Sequence, residues 1–128
     1  MHRIWLLSVL LLFAAPPQPA DAADTAVVLM YHRFAEGKHP STSIRIEQFR
    51  AHLAHLNEGG YNVIPLAHLL AAFNDGKALP ERAVVITIDD AYRSIYRVAH
   101  ALFRRYGFPY TVFVATDGVD DGLSAYMS

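Results

Sequence analysis

The chain alternates short, nearly all-apolar runs with stretches whose apolar residues recur every three or four positions. These two periods separate buried strands from amphipathic helices. Residues 27–32 (VVLMYH) form the first apolar run after the leader and predict a strand covered on both faces, as in a parallel sheet. A polar loop follows, marked by Gly37, Pro40 and the cluster Ser41, Thr42 and Ser43. Ile46, Phe49, Leu53 and Leu56 then stand at helical spacing, and Gly59 and Gly60 close that helix. Residues 61–64 predict a brief strand, and residues 66–73 (LAHLLAAF) a second, short helix ended by Asn74, Asp75 and Gly76. The clearest buried strand is residues 83–88 (AVVITI). Asp89 and Asp90 stand where it stops, and Ile95, Val98, Leu102 and Tyr106 resume helical spacing as far as Gly107. Residues 110–115 (YTVFVA) predict another strand. Strands alternating with helices in this order make one α/β domain with a parallel sheet, either part of a barrel or open and doubly wound. In both arrangements ligands gather at the carboxyl ends of the strands. About four strands are too few to close a barrel, and residues 120–128 (DDGLSAYMS) hold a turn signal but no final core element. The chain is therefore expected to be a fragment, with an unclosed sheet that leaves apolar faces and an unpaired edge.

Ahead of the first strand, Met1, His2 and Arg3 give a positive start, residues 4–15 an apolar run, and Ala20, Asp21 and Ala22 a small-x-small cleavage site. This pattern predicts a secretory signal peptide over residues 1–22, with export to the periplasm or the exterior. The apolar run is shorter than the roughly 20 residues a membrane-spanning helix needs. Pro16, Pro17 and Pro19 end any helix there, so no stable anchor is expected after cleavage. With 53% hydrophobic residues and a formal net charge of -1 over its 128 residues, the chain has a globular profile. The eleven Lys and Arg residues of the full chain are scattered and never form the basic footprint that a phosphate backbone requires, which argues against nucleic acid. The chain has no cysteine, which rules out disulfides and any thiolate nucleophile or metal ligand.

Candidate chemistry concentrates at Asp89 and Asp90, placed at the carboxyl end of the most apolar strand. Adjacent carboxylates repel unless a cation or hydrogen bonds intervene, so one can ligate a divalent metal while the other takes protons. Alternatively, either caps the following helix. The run Thr87, Ile88, Asp89, Asp90, Ala91, Tyr92 resembles the first motif of the polysaccharide deacetylase (NodB-homology) family, whose usual form is T-F-D-D-G. The segment VVLMYHRF is similar to the opening strand of many members, and YTVFVAT at residues 110–116 resembles the strand after the first motif. The three segments are spaced as in the family and span about residues 27–116.

The resemblance implies a partial (β/α) barrel of the NodB-homology type, truncated after about four strands, with residues 23–128 as the N-terminal part of the domain. It implies Asp89 as general base and Asp90 as metal ligand, with zinc the metal that best suits one Asp and two His. Cobalt, nickel and iron are also admitted by that ligand set. The family's two histidines come from an H-x-x-x-H motif; no two of the seven histidines here are four apart, so both are expected beyond Ser128. His32, at the same rim, is the general acid in some members; its alternative is a structural histidine bonded to a backbone carbonyl. Arg33 is either a substrate or carboxylate partner or a solvated surface residue. Ala91 stands where the family has Gly, which raises the question of a left-handed turn. His52 and His55 fall at the margin of the helix's apolar stripe and opposite it, and are expected to face solvent; Tyr92 and Tyr96 lie close enough to the carboxylates to contact a sugar. The implied activity is metal-dependent hydrolysis of the acetamide of an N-acetylated polysaccharide or oligosaccharide. Its rivals are a catalytically inactive truncation and a carbohydrate-binding module without catalysis.

Overall fold

A computed structural model describes residues 25–127; the leader expected over residues 1–22 and the terminal Ser128 lie outside the described residues. In chain order the elements are β1 (Ala26–Tyr31), β2 (Arg33–Phe34), β3 (Ser43–Ile44), α1 (Ile46–Glu58), β4 (Asn62–Val63), α2 (Leu66–Asp75) and β5 (Ala83–Asp89). A π-helical turn (Ile95–Ala99) then runs into α3 (His100–Tyr106), followed by β6 (Thr111–Phe113) and α4 (Thr116–Asp120).

β5 is the middle of the sheet, and its continuous apolar run is buried because both of its faces are covered. Val84, Ile86 and Ile88 join a core that holds Phe34, Phe49 and Leu53 with Phe103 of α3. Ala83 and Val85 belong to a second cluster with Ile64, Leu69 of α2 and Leu79. The first core is aromatic at its centre, with Phe34 and Phe49 rings 4.7 Å apart and Phe49 and Phe103 rings 5.1 Å apart, both tilted toward edge-on contact.

All pairings in the sheet are parallel. β1 lies along one side of β5 in the register Ala26 opposite Ala83 through Tyr31 opposite Ile88. The other side is shared by β4, at the start of β5, and β6, at its end. β2 and β3 form a separate parallel pair. The fold is thus α/β with an open parallel sheet among the described residues, as expected.

The expectation for β1 is corrected. This strand is not covered on both faces, for Val27, Val28 and Met30 are 56%, 48% and 61% exposed. Among the described residues β1 pairs with β5 alone, so its apolar composition reflects a face and an edge with nothing packed on them. Strand β6 is also shorter than the run 110–115 that predicts it. The three helices that periodicity predicts fall where it puts them, while α4 and the short pair β2 and β3 were not expected; α3 ends at Gly107, whose φ of 67° is the left-handed conformation that stops a helix. Phe108 N–H returns to the Phe103 carbonyl at 3.0 Å, completing that stop.

Candidate active site

Parallel register brings the first two candidate residues together. Tyr31 is paired with Ile88, so the next residues along, His32 and Asp89, leave their strands side by side on the face opposite to Tyr31. Their side chains lie 3.7 Å apart, His32 Nε2 to Asp89 Oδ2, a separation longer than a hydrogen bond but within ion-pair range when the imidazole is protonated. Both are about 30% exposed, open to a substrate and to water.

Asp90 follows in a turn of unusual backbone. Its φ is 71° and that of Ala91 is 54°, two consecutive left-handed residues of which neither is glycine. The left-handed turn does occur at Ala91, and the backbone adopts it without glycine. Three contacts hold it: Asp90 N–H donates to the Phe113 carbonyl at 2.9 Å, Met127 N–H to the Ala91 carbonyl at 2.9 Å, and Arg93 N–H to the Ala125 carbonyl at 2.8 Å. Helical backbone begins only at residues 93–94, beyond the bridge that Tyr92 makes with Tyr126. Neither aspartate therefore stands at the N-cap position of that helix, which removes the capping explanation for the pair.

Behind the turn is a polar and aromatic stack that the sequence did not disclose. The Arg33 guanidinium lies 3.3 Å from the centre of the Tyr92 ring and donates to Glu36 at 2.8 Å. Burial opposes the Arg33 charge, but Glu36 and the Tyr92 hydroxyl outweigh it and raise its pKa further. Burial likewise opposes ionised Glu36, yet hydrogen bonds from Ser94 and Arg33 and the charge of Arg33 keep its pKa below the usual carboxylate value. Arg33 is thus neither solvated surface nor a free substrate ligand; its side chain is 11% exposed. Tyr92 is buried between Arg33 and Tyr126, so the expectation that it contacts a sugar is corrected, whereas Tyr96 remains largely exposed. Arg93 Nε donates to the Tyr126 carbonyl at 2.6 Å, so residues 125–127 strap the turn from 34 residues further along. Gly118 is required beneath that strap, since a Cβ there would lie 2.6 Å from the Tyr126 ring.

His52 and His55 are exposed as expected, but His52 is not idle: its Nδ1 lies 3.0 Å from the Tyr31 hydroxyl. No pattern along α1 could signal this, because the partner sits on β1. Among the described residues no group of three or more His, Cys, Asp or Glu is placed to hold a metal. Asp90 fits as one carboxylate ligand, and these residues do not complete a site by themselves. No helix among them is long and apolar enough to cross a membrane.

No family model matches the chain. Poly-beta-1,6-N-acetyl-D-glucosamine N-deacetylase of Escherichia coli (strain K12) is 37% identical over 67 residues, 52% of this chain and 10% of the relative. YxkH of Bacillus subtilis (strain 168), whose name assigns it provisionally to the polysaccharide deacetylases, is 30% identical over 87 residues, 68% of this chain and 30% of the relative. The chain thus spans less than a third of the length of these curated relatives. Among solved structures, the de-N-acetylase from Aggregatibacter actinomycetemcomitans superposes with a TM-score of 0.66 at 27% identity, over 74% of this chain and 39% of that one. IcaB from Ammonifex degensii gives 0.65 at 27% identity, over 73% and 39%. Motif, parallel sheet and relatives agree, and the chain belongs to the polysaccharide deacetylase family of the NodB-homology type.

Proposed function

We propose that the chain carries part of the active-site rim of an exported, metal-dependent deacetylase that hydrolyses the acetamide of N-acetylated sugars in a polysaccharide. The observation that carries this reading is the approach of His32 to Asp89 at 3.7 Å, on the strand rim next to the turn that presents Asp90. Asp89 takes a proton from water as the water oxygen bonds to the acetamide carbon. His32 gives a proton to the departing nitrogen as the C–N bond breaks, leaving acetate and a free sugar amine. Asp90 is the carboxylate this chain offers to a divalent metal, zinc by resemblance, which when bound would acidify water and polarise the carbonyl. Two further ligands are taken to come from outside these residues.

Several observations support the parts of this reading. The substrate class rests on the names of the E. coli and A. actinomycetemcomitans relatives. Export rests on the leader pattern of residues 1–22, and the assignment of residues 23–128 to the first part of a deacetylase domain rests on the 39% share of the solved neighbours that they match. Acetate release from poly-N-acetylglucosamine, chitin and peptidoglycan tests it, on a chain that carries the remainder of the fold. Asp89→Asn should abolish release, by a factor of about 100 or more, with metal retained, and Asp90→Ala should lose the metal. Activity kept by both variants would overturn the assignment.

A second reading, a sugar-binding module that does not hydrolyse, draws on the incomplete ligand set among the described residues. Stoichiometric zinc in the purified longer chain would rule it out.

A further inference from the structure

A groove of about 400 Å³ opens beside His32, between the carboxyl end of β1 and the loop that leads into β3. His32 forms part of its wall, so a molecule lying there touches the same imidazole that faces Asp89. One side bears hydroxyls, from the exposed Ser41 and Thr42, and the other is apolar, from the exposed Met30 side chain. His52 also lines it. Its Nδ1 is held 3.0 Å from the Tyr31 hydroxyl, which fixes the ring and leaves Nε2 as its second polar atom. No carboxylate lines the groove, and its single guanidinium, Arg33, is engaged by Glu36 and Tyr92. Such walls suit a neutral, polyhydroxylated ring with one apolar face.

We propose that this groove is a subsite for the N-acetylhexosamine unit adjoining the one that is deacetylated, with the His52 imidazole as the polar group that selects it. The inference rests on the deacetylase reading for its ligand, but its test needs no hydrolysis. A β-1,6-linked N-acetylglucosamine oligomer is titrated into the full chain and followed by the NMR signals of the histidine rings. The signals of His52 and His32 are expected to shift together. His52→Phe keeps the ring and removes both nitrogens; the pair Ser41→Ala and Thr42→Val removes two hydroxyls from exposed positions at nearly constant shape. Each is expected to weaken binding about five- to tenfold, the range of one or two lost hydrogen bonds. Affinity unchanged in both variants, or no shift at His52 in the parent chain, overturns the subsite. Acetate release is measured separately on the longer chain. Release with unchanged variant affinities sinks the groove alone, and oligomer binding at His52 without release from any polymer sinks the deacetylase reading and leaves the groove standing.

Discussion

Ala91 shows how much the site asks of single residues. Left-handed backbone costs an L-residue roughly 1–2 kcal/mol, and here it recurs at Asp90 and Ala91 in succession. The turn persists because the hydrogen bonds to Phe113 and from Met127 hold it from outside. Ala91→Gly should remove strain and raise unfolding stability by about 1 kcal/mol, net of the entropy glycine adds to the unfolded chain. Urea denaturation checks this, and a lower midpoint would show that the buried Ala91 methyl matters more than the backbone. Tyr31 makes a second prediction. Its folded pKa, about 12, stands above the ordinary phenol value of 10.0 because burial disfavours the phenolate. The unfolded chain therefore releases its proton first, so this contribution to stability is intact below pH 10.0 and lost as pH rises through about 12. Denaturant midpoints should fall across that window in the parent chain and less steeply in Tyr31→Phe. Asp89, Asp90 and His32 were legible as candidates from the strand ends they occupy. The Tyr31 to His52 contact was not, since each residue alone looks like an ordinary core or surface position.

Among the elements, α1, α2, α3 and β5 lie where apolar period placed them, because each buries a face that its own sequence marks, whereas the short β2, β3 and α4 carry no such period. What periodicity does not reach is the joining of elements. Ser94 is an example, a buried serine whose Oγ accepts from the Phe34 N–H at 3.1 Å and so ties β2 to the start of the π-helical turn. Ser94→Ala would leave that buried N–H without a partner, at a cost of about 1–3 kcal/mol. The loss should appear in the denaturation midpoint, and an unchanged midpoint would mean that another acceptor moves in. The strap of residues 125–127 belongs to the same class: its turn-rich sequence signals no core element, yet it pairs with residues 91–93 and fixes the turn bearing Asp90.

Among the described residues the molecule is shaped by an asymmetry across β5, packed on both sides, while β1 pairs with β5 alone and exposes Val27, Val28 and Met30. An unpaired, apolar strand edge invites pairing with another chain. Val28→Lys should lower self-association of this chain, as measured by sedimentation or light scattering, while its thermal transition stays in place. An unchanged association would place the contact elsewhere. The apolar run of β1 was readable as a strand, but not as an edge: a strand covered by neighbours and one lacking them have the same composition.

The amino-acid sequence by itself determined the alternation of elements, the helix stop at Gly107, and the placing of both aspartates and His32 at strand ends, because these follow from period and local chain geometry. Only the tertiary structure decided that His32 faces Asp89, that Arg33 and Tyr126 enclose Tyr92, and that His52 is fixed by Tyr31. Those pairings depend on strand register and on contacts between segments 21 to 57 or more residues apart, which are selected by how the whole core packs and not by any one stretch of chain.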